Sequence, residues 1–393
     1  MTEKTLPPEI VFRNALVSRS GDDWVPIAVK EDAEDDAKAS AKGHRERLQE
    51  HLKRLLANYN VIVLAGSGTS IDAVSPGVGG PKMPALWKTI AAWPEFKDIK
   101  KQISYTGIEN IEDFLSQCHN SLAFVDAATV KVVKVFTKKA EKEIFESCTN
   151  FLKTAHSLPA HEELLDKITK RKSRFPRPKL FTTNYDLCFE FAAARRGMTV
   201  IDGFSFSQPR KFNPSFFGFD IVRRAHSPSE SNELVDGVVH LLKIHGSVDW
   251  EVSESGIQQV SEPEEDKRCL IYPATTKYKH SYTQPYLEMM ARFLMSLREP
   301  NTTLVVVGFG FNDEHLNAPI LAAAQSNPSL NLLVVDPSIQ DKSDDLFGYA
   351  PHIELAKYTA SRVTLLNATF GQFTNLIPDL KAFGWESETE SKS

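Results

Sequence analysis

The sequence predicts an α/β fold: a Rossmann-like doubly wound parallel sheet carrying a helical insert or cap. Two observations predict it. Short, nearly continuous β-branched and aliphatic runs alternate with helical periodicity, as in a parallel sheet covered on both faces. Four of those runs end in Gly- or Asx-rich loops, which places the loops at the carboxyl ends of strands, where open α/β sheets bind ligands.

Taken in order, residues 1–42 read as an N-terminal arm. It has a possible strand pair (Ile10 to Val17 with Trp24 to Val29) and an acidic run, Glu31 to Asp36, expected to be solvated. The arm is also the candidate for an oligomer or partner contact. The main domain spans 43–380. Leu48, Leu52, Leu55 and Leu56 recur at helical spacing, and Asn58 could close that helix. Val61 to Leu64 predicts a buried strand. The stretch from Ile71 to Trp87, which contains SPGVGGPKMP, predicts a mobile loop. A helical insert is expected at about 88–172, with Asn110 to Leu115 opening one helix. Further strands of the sheet are expected at Lys179 to Thr182, Val238 to Ile244, Leu270 to Tyr272, Thr303 to Val307, Leu330 to Val335 and Val363 to Leu366. A last helix is expected from Phe370 to Phe383, followed by a polar tail, 381–393.

With 393 residues, 41% hydrophobic and 25% charged, the chain has the make-up of a globular protein. A formal net charge of −5 gives no reason to expect a phosphate-backbone binder. The basic stretch Lys167 to Arg177 reads as a solvated loop, with direct nucleic-acid contact as the alternative. Cys118, Cys148, Cys188 and Cys269 form no CxxC pair, so neither a zinc ribbon nor a disulfide framework is expected, and no metal site. No charged-then-apolar leader and no run of about 18 apolar residues are present, so the expectation is a cytoplasmic protein without membrane contact.

The four loops carry the chemistry. Gly66-Ser67-Gly68-Thr69-Ser70 follows a strand and lacks the lysine and spacing of a P-loop. It is either a cradle that lets backbone amides approach a pyrophosphate or a plain Gly-rich βα turn. Thr182-Thr183-Asn184-Tyr185-Asp186 crowds polar groups at the next strand end. Asn184 could hold a ribose hydroxyl or a water, or Asn184 and Asp186 could cap the following helix. His245-Gly246 ends a third strand, where a histidine can be a general base, a ribose contact or a structural residue. Gly308-Phe309-Gly310-Phe311-Asn312-Asp313 would bring backbone near the same ligand, with Asn312 and Asp313 available to hydroxyls. Asp336 ends a further strand and suits a ribose diol, or else a cap before Pro337.

In these motifs the chain resembles the sirtuin-like (silent information regulator) superfamily over roughly residues 45–375. Gly66 to Ser70 is similar to its Gly-Ala-Gly-x-Ser loop, Thr183 to Asp186 to its (Gln/Thr)-Asn-x-Asp motif, His245-Gly246 to its catalytic His-Gly, and Gly308 to Asp313 to a later Gly-rich turn. Two features of the protein-deacylating members are missing: the paired CxxC zinc cysteines, and the Gly-Ile-Pro-Asp-Phe-Arg segment, where this chain has Ile71 to Pro76. The TTNYD and NIEDFL segments look instead like the bacterial anti-phage branch.

The resemblance therefore implies an NAD+ hydrolase that releases nicotinamide and ADP-ribose and depletes NAD+ in the infected cell. Asn184, His245 and Asp186 would be catalytic. Gly66, Ser67, Gly68, Thr69, Ser70, Thr183, Gly308, Gly310, Asn312 and Asp336 would bind NAD. It also implies a homo-oligomer and a HerA-like hexameric ATPase as partner. The alternatives are a NAD- or ADP-ribose-binding regulatory subunit without turnover, an NAD-dependent protein deacylase, and a subunit of a DNA-acting complex.

Overall fold

The computed structural model describes residues 11–14, 24–171, 175–225, 232–270, 284–339 and 362–380. Two short strands, β1 (Val11–Asn14) and β2 (Val25–Pro26), open the chain and pair with each other as the sequence predicts. Seven more strands form a parallel sheet: β3 (Asn60–Ala65), β4 (Lys179–Thr182), β5 (Thr199–Ile201), β9 (Val238–Lys243), β13 (Thr302–Val307), β14 (Leu330–Val335) and β15 (Val363–Asn367). The order across the sheet is β2-β1-β15-β14-β13-β3-β4-β9-β5, with β1 antiparallel to β15. The chain leaves β3 toward β4 and later returns to the other side of β3 through β13. The switch point of this doubly wound sheet therefore lies between β3 and β13, which run in register from Asn60 opposite Thr302 to Ala65 opposite Val307.

Alternation along the strands fills two cores. Val61, Val63 and Ala65 face α1 (Asp35–Leu56), α6 (Pro159–Thr169), α7 (Cys188–Arg195) and α10 (Phe370–Leu376). Ile62 and Leu64 face α8 (Tyr286–Arg298) and α9 (Glu314–Ser326). Between β3 and β4 the chain forms α2 (Met83–Ala91), α3 (Phe96–Gln102), α4 (Ile111–Ser121) and α5 (Ala127–Thr149). These four helices pack on a third, separate core of Trp87, Phe96, Phe114 and Phe136, which meets the rest of the protein at Tyr185, Leu187 and Val248.

Several expectations are corrected. Helix α1 begins at Asp35, inside the segment read as arm. Asp35 and Asp36 occupy its first turn, where negative charge suits the exposed N–H groups. The SPGVGGPKMP stretch is not a free loop. Gly80 N–H donates to Ser70 O, Gly77 N–H donates to Asp72, and a Cβ on Gly79 would lie 2.1 Å from Ser70 O. Its last residues start α2, because a proline in the first turn has no N–H that the helix needs. Residues 268–270 form β12 (Arg268–Leu270) of a separate antiparallel sheet ordered β12-β10-β11-β6, with β10 (Gly246–Ser253), β11 (Gly256–Gln259) and β6 (Arg210–Lys211). The strand pair β7 (Val222–Arg223) and β8 (Glu233–Leu234) completes the strands among the described residues. The last helix ends at Leu376 with Ile377 as its C-cap, ahead of Pro378, and not at Phe383 as expected. The rest of the strand read at Leu270 to Tyr272 and the polar tail lie outside the described residues.

Candidate active site

The two Gly-rich loops flank the switch point and pack backbone against backbone. Gly68 N–H donates to Gly308 O at 2.8 Å and Gly66 N–H to Val307 O at 3.0 Å. A Cβ on Gly68 would stand 2.6 Å from the Gly308 Cα, and Gly308 itself needs φ +61°. Thr69 N–H and Ser70 N–H bond back to Gly66 O and Ser67 O in a 3-10 turn. These four amides are thus engaged within the protein rather than directed at a pyrophosphate as the sequence suggested. Loop-to-loop contact accounts for the glycines, and the loop presents the side chains of Ser67 and Ser70 to the cavity beside it.

That cavity has a volume of about 430 Å³. Of the residues singled out from sequence, Ser67, Ser70, Thr183, Asn184, Asp186, His245, Gly310 and Asn312 line it. Gly66, Gly68, Thr69 and Gly308 lie behind this lining. Asp336 does not border the cavity, and its Oδ1 accepts from the Ser338 N–H and hydroxyl in a local turn. The helical insert closes one side with Leu86, Ile108, Ile144 and Cys148, and with Asn110 to Glu112 at the start of α4. Asn110 caps α4 by accepting from Glu112 N–H.

Asn184 is fixed by its neighbours. Its Nδ2 is 3.0 Å from Gly66 O and 2.8 Å from Ser70 Oγ, while Ser70 gives its own proton to Asp186 Oδ2 at 2.7 Å. Gly66 O can only accept and Ser70 has spent its donor, so the amide must turn its NH2 into the loop. Oδ1 is then the acceptor that Asn184 brings to the cavity. Asp186 serves both the Gly-rich loop and the next helix, the second as the capping reading expects. Its Oδ2 anchors Ser70, and its Oδ1 accepts from Cys188 N–H at the start of α7.

Below this loop lies a charged side chain from the end of the otherwise largely apolar strand β9. Lys243 is 2% exposed. Its Nζ donates to the carbonyls of Tyr185 and Asp186 and pairs with Glu190 Oε1 at 3.0 Å. Burial pushes the Glu190 carboxyl up to about 7 against the pull of Lys243. The cation thus braces the TNYD loop from beneath.

His245 stands between β9 and β10, followed by Gly246 at φ +89°, where a Cβ would meet Cys269 O at 2.2 Å. Its Nε2 lies 3.0 Å from Asp313 Oδ2. Asp313 also caps α9 through Oδ1 and His315 N–H. The sequence marked Asp313 only as a hydroxyl partner, since its position against His245 depends on β9 and β13 ending on the same edge. Phe311, at φ +56°, is held by Asn317 Nδ2 on its carbonyl at 2.6 Å.

Four carboxylates line the cavity, those of Glu109, Glu112, Asp186 and Asp313, and no lysine or arginine is among its described lining residues. Such a lining favours hydroxyl-bearing or cationic ligand groups. Among the described residues no cluster of three or more His, Cys, Asp or Glu could hold a metal ion, and no helix is long and apolar enough to cross a membrane.

The chain was compared with known proteins. It is similar to a solved structure described as the structural basis for the mechanism and regulation of Sir2 enzymes, at 11% identity, over 86% of this chain and 98% of that chain, with a TM-score of 0.40. It is also similar to a Sir2 variant solved with a deacetylated p53 peptide and 3'-O-acetyl ADP ribose, at 11% identity, over 84% and 96%, with a TM-score of 0.40. No curated protein matches it. Residues 178–352, from β4 past β14, match the family model of the SIR2-like domain.

Proposed function

We propose that the chain is an NAD+ hydrolase that cleaves the nicotinamide–ribose bond to give nicotinamide and ADP-ribose. The observation that carries this reading is the meeting of Asn184 and His245 in one cavity, with four carboxylates and no described lysine or arginine in its lining, at the switch point of the sheet. The lining fits the nicotinamide ribose end of NAD+: a cationic ring and a diol meet carboxylates, an amide oxygen and an imidazole. About 430 Å³ is within the range of small-molecule sites.

Bond cleavage passes through an oxocarbenium-like ribose, as in glycoside hydrolysis. The departing nicotinamide needs no protonation, because it takes the bonding pair onto a nitrogen that already bears positive charge. The protein's task is to hold the ribose, exclude bulk water and admit one water. Asn184 Oδ1 accepts from that water or from a ribose hydroxyl. Asp186, through Ser70, keeps the amide in place. His245 takes the proton, and the insert helices cover the site. Thr183, Gly310 and Asn312 supply further contacts. Asp336 would serve the adenosine ribose beyond the cavity.

The wider reading is depletion of NAD+ during phage infection, by a homo-oligomer controlled by a HerA-like hexameric ATPase. It is supported by the resemblance of the TTNYD and NIEDFL segments. The test is NAD+ consumption by the purified chain, alone and with any co-purifying ATPase, with chromatography of the products. Equimolar nicotinamide and ADP-ribose are expected. Asn184→Ala and His245→Ala should each lower the rate at least about 100-fold with unchanged circular dichroism. NAD+ bound but uncleaved under every condition would replace this reading with that of a regulatory subunit.

A further inference from the structure

We infer that Asp313 is the positioning residue of His245: it holds the imidazole as the Nε2–H tautomer, so that Nδ1 is the atom that takes the proton. The catalytic part of this inference rests on the hydrolase reading, whereas the tautomer does not.

Asp313 Oδ2 lies 3.0 Å from His245 Nε2, and the two side chains are 9% and 12% exposed. The approach is a charge contact rather than an in-line hydrogen bond; a nitrogen lone pair held that close to the carboxylate would be repelled by it, so Nε2 is the ring nitrogen that carries the hydrogen. A neutral imidazole has one N–H, which leaves the lone pair on Nδ1. The other oxygen, Oδ1, accepts from His315 N–H and anchors the carboxylate to the first turn of α9. Capping alone does not call for a charge here, because asparagine or serine caps a helix about as well as aspartate. Enclosing a carboxylate is costly unless a partner compensates it, and His245 is the partner at hand.

In the hydrolytic step the water oxygen bonds to the anomeric carbon as the carbon–nitrogen bond breaks, and its electron pair leaves with nicotinamide. The water proton passes to Nδ1, and the imidazolium formed lies against the Asp313 carboxylate until the proton returns to solvent. Asp313 thereby acts through His245 and touches neither reacting atom.

The discriminating variant is Asp313→Asn. Its single oxygen is needed by the α9 cap, so the NH2 group turns to His245 Nε2, which must then accept. The ring inverts to the Nδ1–H tautomer while the cap is kept. Two-bond proton–nitrogen NMR of the full chain with 15N-labelled histidine reads the tautomer, with the His245 signals assigned by their loss in His245→Gln. We expect Nε2–H in the wild type and Nδ1–H in Asp313→Asn. The variant's kcat for NAD+ should fall about 10²- to 10⁴-fold, with KM and melting temperature little changed. A wild-type Nδ1–H ring, or an Asp313→Asn protein with wild-type kcat, would overturn the assignment. A wild type that cleaves no NAD+ would count against the hydrolase reading alone, and the tautomer would still decide the role of Asp313.

Discussion

His161 is fully enclosed on α6, its ring set edge-on between Phe189 and Phe370, and neither ring nitrogen has a hydrogen-bond partner among the described residues. Burial lowers its pKa to about 4, and burial with the nearby Lys179 does the same for His240. A depressed folded-state pKa means that the unfolded chain binds the proton first. The stability these groups permit is full above about pH 6.5 and is lost as the pH falls toward 4, at roughly 1.4 kcal/mol per pH unit for each ring. Urea unfolding at pH 7.5 and pH 5 should therefore show a marked loss for the wild type and a smaller one for His161→Leu. At pH 7.5 the variant should be no less stable, since an unsatisfied polar ring has been replaced by an apolar side chain. Equal acid losses in the two proteins would show that His161 is not the sensitive group. Gly68 poses the opposite problem, of space rather than charge. Gly68→Ala forces a methyl to within 2.6 Å of the Gly308 backbone, which cannot yield as a side-chain tip would. The two loops must separate, at a cost of about 1–3 kcal/mol, and a calorimetric melt would register it.

At the scale of elements, the helical insert behaves as a unit with its own core. Phe114 sits at the centre, its ring 4.8 Å from Phe96 and within 6 Å of Trp87, Tyr105 and Phe136. Phe114→Ala leaves a hole in that cluster worth about 3–5 kcal/mol. Because the cluster meets the rest of the fold at few residues, the loss should fall on the insert. Hydrogen exchange should rise across residues 83–149 and stay low in β3, β13 and β14. On the proposed hydrolase reading, the KM for NAD+ should also rise, because α4 carries Asn110 to Glu112 to the cavity wall. Exchange that rises equally in sheet and insert would refute this independence. The elements legible in the sequence were those with a pattern of their own. The buried parallel strands read as unbroken apolar runs, and α4 as an Asn cap before an amphipathic helix. The antiparallel sheet was missed although β10 alternates, Val248, Trp250 and Val252 against Asp249, Glu251 and Ser253. Both of its faces are partly buried, and Asp249 and Glu251 find their partners, Gln259 and Gln258, on β11, a pairing that sequence alone does not reveal. At three residues, β5 is too short to carry any period.

For the whole molecule, sequence order alone brought the four loops to one edge of the sheet, since each follows a strand of the same direction. What stayed illegible was the pairing across that edge, His245 with Asp313 and Lys243 with the TNYD carbonyls, which only the strand order decides. The same order gives the N-terminal segment a structural task. β1 lies antiparallel along β15, β2 along β1, Ile27 is 2% exposed in the main core, and His44 Nδ1 is 2.9 Å from Pro26 O. Removing residues 1–34 strips the cover from β15 and takes about 1.5–3 kcal/mol of Ile27 burial with it. A bare edge strand is also a template for another chain. The site lies at β3 and β13, with β14 between β13 and β15, so its geometry does not depend on the lost strands. The truncated chain should melt earlier and self-associate on size-exclusion chromatography with light scattering. On the proposed hydrolase reading, its NAD+ turnover per folded molecule should stay within about twofold of the full chain, because distant sites contribute independently. An unchanged melt would deny β1 its place in the sheet. Lost turnover in a fraction that remains folded would mean that the segment reaches the active site, directly or through a second copy.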